Sequence, residues 1–134
     1  SAVQPSSVDF HLSTDSIDEE DGLQICPEGY WIESKECVLA STMETVNIPL
    51  NVRGRVEGKS TWGRKFLDVH STAGYIDAGF KGQITLELYN KSSYPLFLMP
   101  GVAICQIEFA WLDQPANPGY DGKYQRQQGV TPPR

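Results

Sequence analysis

The chain has 134 residues, enough for one compact domain with a modest core and not for two. Its 11 basic and 17 acidic residues leave a formal net charge of −6, which argues against nucleic acid or an anionic membrane as the main partner. Any phosphate ligand must then be met by a local basic cluster.

No apolar run approaches the roughly 20 residues that span a bilayer, and Ser1 is not followed by a basic stretch and an apolar signal core. A soluble, cytoplasmic protein is expected. Cys26, Cys37 and Cys105 are odd in number and widely spaced, which fits reduced thiols better than a disulfide framework. Zinc-dependent nucleobase deaminases need His-x-Glu followed by Pro-Cys-x-x-Cys, so that three ligands hold the metal while a glutamate moves protons. Neither His11 nor His70 is followed by glutamate two residues on, and there is no Cys-x-x-Cys. A zinc centre of that kind is not expected.

In chain order, Val8, Phe10 and Leu12 alternate with Ser7, Asp9 and His11, which predicts an opening strand with His11 on its polar face. Ser13 to Glu28 is polar and acidic with little apolar periodicity, and reads as a surface loop. Gly29 to Leu39 predicts two short strands joined by a turn near Glu33 to Glu36. Val46, Ile48, Leu50 and Val52 add an alternating run that Pro49 confines to an edge or a bulge.

Ser60 to Lys65 is the one stretch that predicts a helical turn, and it is chemically dense. Lys59, Ser60, Thr61, Arg64 and Lys65 bring three cations and two hydroxyls within seven residues, a composition suited to an anion. The alternative is an ordinary basic surface turn. Next, Gly74, Gly79 and Gly82 punctuate a tight turn where backbone can approach a ligand closely. The strand that follows has Ile84, Leu86 and Leu88 on one face and Gln83, Thr85, Glu87 and Tyr89 on the other. On spacing alone Glu87 is a solvated strand residue.

Tyr94 to Gly101 predicts a short apolar strand closed by a Pro-Gly turn, and Ala103, Cys105, Ile107, Phe109 and Trp111 predict a core strand with Cys105 a buried, inert thiol. Asp113 to Arg134 is rich in Pro, Gly and Gln, and by composition alone is a disordered tail. Many short strands with glycine and proline punctuation, and no sustained helical period, predict an all-β sandwich or jelly roll.

The wording of the central stretch adds to this reading. HSTAGYIDAGFKGQITLEL, from His70 to Leu88, closely resembles the central motif of the dCTP deaminases, the deaminating branch of the trimeric dUTPase-like family. VQPSSVDFHL at Val3 to Leu12, GRVEGKSTWGR at Gly54 to Arg64, PGVAICQIEF at Pro100 to Phe109 and KYQRQQGVTP at Lys123 to Pro132 resemble the family's other motifs, in its order. Trp62 stands where that family usually has leucine and Cys105 where it often has glycine.

The resemblance implies a single domain over 1–134 with a distorted jelly-roll or β-clip dUTPase-like fold, and a flexible C-terminal lid over 113–134. It implies hydrolytic deamination of dCTP to dUTP and ammonia, with dUTP supplied to thymidylate synthesis. The closest alternative is a bifunctional enzyme that goes on to dUMP and pyrophosphate, which the TAGYIDAGF wording favours; a dUTPase alone and a silent nucleotide-binding relative are the others. Glu87 matches the catalytic glutamate and Arg64 the arginine near the attacking water, with Ser60 and His70 in support.

Ser71, Thr72, Ala73, Asp77 and Phe80 would read base and sugar. Lys59, Ser60, Thr61, Tyr120, Lys123 and Gln127 would hold the triphosphate, with magnesium bridging its oxygens and no metal ligand from the protein. A homotrimer with sites shared between neighbouring subunits is implied.

Overall fold

In a computed structural model the chain is described over residues 7–18, 22–71 and 74–133. Among these residues there are ten strands and one helical turn. They are β1 (Ser7–Asp18), β2 (Gly22–Ile25), β3 (Tyr30–Ile32), β4 (Cys37–Asn47), β5 (Val52–Gly58), α1 (Ser60–Gly63), β6 (Leu67–Asp68), β7 (Tyr75–Ile76), β8 (Lys81–Asn90), β9 (Leu96–Leu98) and β10 (Ala103–Trp111).

One antiparallel sheet runs in the order β6-β8-β4-β1-β10-β5-β7, with β2 paired to β1, and β3 and β9 form a separate two-stranded ribbon. The register shifts at Phe10/His11 and Leu12/Ser16 in β1 and at Ser41/Thr45 in β4. Such irregularities bend and twist a strand, and they let this sheet curl around one core. The architecture is all-β, as the strand pattern predicts.

The core comes from the inward parity of the strands. Leu12, Ile32, Leu86, Leu88, Leu98, Ile104 and Ile107 are fully buried. In β8 every second side chain from Gly82 to Asn90 is buried, so Thr85 and Glu87 stand on the opposite face. The strand closes on Asn90, whose amide donates to the Ile32 carbonyl at 3.0 Å and the Tyr94 carbonyl at 2.8 Å while its oxygen accepts from Ser92. A fully buried polar side chain is tolerated there because every group has a partner.

Three expectations need correction. Ser13 to Glu28 is not a surface loop throughout: Ser13 to Asp18 continue β1, and β2 pairs back on it from Asp15↔Ile25 to Asp18↔Gly22. Ladder hydrogen bonds, not apolar periodicity, make these residues a strand. The run from Val46 to Val52 is broken by a turn in which the Val52 amide donates to the Pro49 carbonyl at 3.3 Å, so Val46 belongs to β4 and Val52 to β5.

The turn at Glu33 to Glu36 joins β3 to β4 as expected, with β3 paired to β9 and β4 running on to Asn47 between β1 and β8. In β10 the Phe10/His11 irregularity buries both Ile104 and Cys105 and the parity fades outward, leaving Trp111 79% exposed.

Candidate active site

Glu87 is held by the chain that passes β8 on its outer edge. Its amide donates to the Val69 carbonyl at 3.2 Å, and its Oε1 accepts from the Ser71 amide at 2.8 Å. The segment Val69 to Ser71 thus brackets Glu87 front and back and fixes one carboxylate oxygen. No hydrogen bond to the other oxygen is seen among the described residues. Glu87 lines a cavity of about 400 Å³ together with Asp77, Phe80 and Gln127. Leu39, Val56 and Ile84 supply apolar wall, and Tyr120 and Tyr124 supply aromatic wall.

The C-terminal residues build one side of this cavity. The Arg126 amide donates to the Lys81 carbonyl at 2.7 Å, the Gln83 amide to the Gln127 carbonyl at 3.0 Å, and the Gln127 side-chain amide to the Gln83 carbonyl at 2.6 Å. Farther along, the Gly129 amide donates to Gln83 Oε1 and the Thr131 amide to Thr85 Oγ1. Tyr120 meets Phe80 edge to face at 5.5 Å between ring centroids. Gln125 donates to the Gly79 and Tyr120 carbonyls and accepts from the Lys81 amide.

Two glycines make this approach possible. Gly79 has φ +88° and a Cβ there would lie 2.8 Å from the Tyr120 nitrogen; Gly82 has φ +146° and a Cβ would lie 2.8 Å from the Gln127 oxygen. Both needs, the left-handed backbone and the missing side chain, are met by glycine alone.

The cationic segment lies outside this cavity. Ser60, Thr61 and Arg64 are exposed, and Arg64 and Lys59 are not among the cavity-lining residues. Lys59 Nζ donates to Asp9 Oδ1 at 2.8 Å. Trp62, 7% exposed, is a core residue whose indole N–H donates to the Ala103 carbonyl at 3.2 Å, with Lys65 Nζ 4.9 Å from the ring centre.

His70 lies between Val69 and Ser71, with Nδ1 buried and without a hydrogen-bond partner among the described residues, and its ring is against Gly74, where a Cβ would come 3.2 Å from Nε2. Lys123 lies with its ammonium 5.5 Å from the centre of the Tyr124 ring. Thr72 and Ala73 lie outside the described residues.

Of the residues singled out from sequence, Glu87, Asp77, Phe80, Tyr120 and Gln127 therefore share one cavity, and Ser71 reaches it through its amide. Lys59, Ser60, Thr61 and Arg64 do not share it. Sequence reasoning left out Tyr75, Thr85 and Thr131. Thr85 could have been found, since it is two residues from Glu87 on the same strand face; Thr131 could not, because its place follows from a tail path that composition hides. Cys105 is fully buried and burial pushes its thiol up to about 12, as befits an inert core residue.

Comparison with solved structures first defines the class. The fold is dUTPase-like: the native dUTPase of EIAV superposes with a TM-score of 0.58 at 20% identity, over 86% of this chain and 97% of that one. The 2′-deoxycytidine 5′-triphosphate deaminase of Agrobacterium tumefaciens gives a TM-score of 0.71 at 21% identity, over 81% of this chain and 39% of that one.

Residues 17–112 match the family model described as dCTP deaminase-like. A relative from Persephonella marina named "dCTP deaminase, dUMP-forming" is 40% identical over 149 aligned residues, spanning 98% of this chain and 82% of its own. The chain belongs to the dCTP deaminase family.

Proposed function

We propose that the protein is a dUMP-forming dCTP deaminase, which replaces the 4-amino group of dCTP by oxygen and then cleaves the resulting dUTP to dUMP and pyrophosphate. The name of its relative favours this two-step reading over release of dUTP, the simpler expectation from the motifs. The observation that supports it most is the bracketed Glu87 carboxylate facing a cavity it shares with Asp77, Phe80 and the C-terminal residues.

In this reading Glu87 accepts a proton from a water as the water oxygen bonds to C4 of the cytosine ring. It returns that proton to ring N3, then takes the proton of the new C4 hydroxyl and passes it to the amino group, so that the C4–N bond breaks, ammonia leaves and the C4 carbonyl forms. One carboxylate serves these transfers in turn because it stays within reach of water and ring throughout. The Ser71 amide keeps Oε1 in place, so Oε2 is the oxygen that moves protons. Phe80 packs against the deoxyribose face and leaves no room for a 2′-hydroxyl, and Asp77 accepts from the 3′-hydroxyl. Asp77 also orients the water that attacks phosphorus in the second step.

Lys59, Ser60, Thr61 and Arg64 reach a Glu87 cavity from a neighbouring subunit of a homotrimer, which accounts for their exposure outside the cavity of their own subunit. Their hydroxyl and cationic groups suit phosphate oxygens, not a metal. Magnesium enters on the triphosphate, where it supplies charge that lowers repulsion between phosphate oxygens. Lys123 and Gln127 complete the phosphate contacts as the C-terminal residues close.

Incubation with dCTP and magnesium, with nucleotides separated by anion exchange and ammonia and pyrophosphate assayed in parallel, tests the reading. Ammonia and pyrophosphate are expected to appear in equal amounts with dUMP. Accumulating dUTP would reduce the protein to a deaminase, and absence of ammonia would remove the proposal.

A further inference from the structure

Three contacts outside the cavity converge on the short cationic segment. Gln106 on β10 is registered between Asp9 on β1 and Glu57 on β5, and its side-chain amide donates to the Gly58 carbonyl at 3.1 Å while its oxygen accepts from Ser7 at 3.0 Å. One residue later, Lys59 Nζ donates to Asp9 Oδ1 at 2.8 Å. Three residues beyond that, the Trp62 indole donates to the Ala103 carbonyl. Gly58, Lys59 and Trp62 are therefore pinned to β1 and β10, while Ser60 and Thr61 between them remain exposed.

The Asp9–Lys59 pair is asymmetric. The Asp9 side chain is 17% exposed and that of Lys59 27%, so both are partly shielded and the lysine is the more accessible of the two. An ammonium has three N–H donors, and one is committed to Asp9. A lysine held this way has already given up most of its rotamer freedom and part of its hydration before a ligand arrives, which lowers the cost of engaging one.

We propose that Asp9 is a positioning residue for phosphate recognition: it holds the Lys59 ammonium at the surface so that its remaining donors meet the substrate's triphosphate. This rests on the proposed function and adds a residue that touches neither base nor phosphate. The opposing effect is neutralisation, since a carboxylate beside the lysine weakens its attraction for an anion. The two effects push affinity in opposite directions, and the sign of one substitution separates them.

The experiment compares Asp9→Asn, Asp9→Glu and Glu44→Gln with the parent protein. Glu44 is the control because it forms the other partly exposed ion pair on β1, accepting from His11 Nδ1 at 2.5 Å, without touching Lys59. Steady-state deamination of dCTP with magnesium is measured beside calorimetric binding of inorganic tripolyphosphate.

Asp9→Asn is expected to raise KM for dCTP and Kd for tripolyphosphate by about tenfold, the scale of one charge-assisted hydrogen bond, with kcat changed by less than about twofold. Asp9→Glu should recover part of the loss and Glu44→Gln should leave both constants alone. Unchanged or lower KM and Kd in Asp9→Asn, or an equal rise in Glu44→Gln, would overturn the proposal. If the parent protein releases no ammonia, the proposed function fails on its own, and the tripolyphosphate titrations still decide the role of Asp9.

Discussion

Glu87 and Arg64 lie on either side of β6, and the fold treats them oppositely. The carboxylate is set into the sheet, bracketed by Val69 and Ser71 and walled by the C-terminal residues. The guanidinium is on an exposed turn and makes no ion pair among the described residues. One chain thus fixes the carboxylate by itself and leaves the guanidinium open to solvent. Under the proposed function, this contrast is what a site divided between subunits would leave in each of them.

The sharpest way to break that comparison is to mix two inactive proteins. Glu87→Gln is expected to lower ammonia release by about 10³-fold, the scale of losing a general acid and base. Arg64→Ala is expected to lower it by about 10²-fold, as for loss of one charge-stabilising donor. When the two variants are unfolded and refolded together, sites formed from an intact Glu87 and an intact Arg64 should restore a substantial fraction of the parent rate. No recovery above the sum of the separate variants would confine both residues to one subunit.

A smaller effect is expected where the C-terminal residues meet β8. Gly82→Ala introduces a methyl 2.8 Å from the Gln127 oxygen at a φ of +146°. The strain alone is worth about 1–3 kcal/mol. Displacing the tail should raise KM more than it lowers kcat, and limited proteolysis should cut Gly119 to Gly129 sooner than in the parent. Equal resistance to protease would mean that the tail contacts contribute little.

The least change is expected at Cys105, fully buried on β10 opposite Gly58. Its folded thiol holds its proton more tightly than the unfolded one, whose ordinary value is 9.0, because burial disfavours the thiolate. The associated stability is intact below that value and is lost as pH rises from about 9 towards about 12. The slope is at most about 1.4 kcal/mol per pH unit. Thermal unfolding between pH 9 and 10.5 should fall less steeply in Cys105→Ala. In the native protein a thiol reagent should modify exposed Cys37 readily and leave Cys105 untouched until unfolding.

Much of the fold is legible in the sequence where side-chain parity and burial agree. Ile84, Leu86 and Leu88 announce β8 and the outward direction of Glu87, and the turn at Ser60 is announced by its own composition. Strands held by ladder bonds alone are not legible: Ser13 to Asp18 and Gly22 to Ile25 carry no apolar rhythm and are ordered by each other. Ile104 escapes because a strand irregularity shifts burial by one position.

The candidate site divides in the same way. Glu87, Asp77 and Phe80 come together through one continuous stretch. Thr131 joins them only because Gln83 and Thr85 offer partners to a tail whose composition suggests none.

The position of Pro133 in the cavity wall has a practical consequence. A reporter attached at Pro133 would stand in the wall of the candidate cavity, so under the proposed function it would sense nucleotide entry and a bulky one would obstruct it. Handles intended to be silent belong on a distant surface, and a small environment-sensitive dye at position 133 would follow the tail without labelling the substrate.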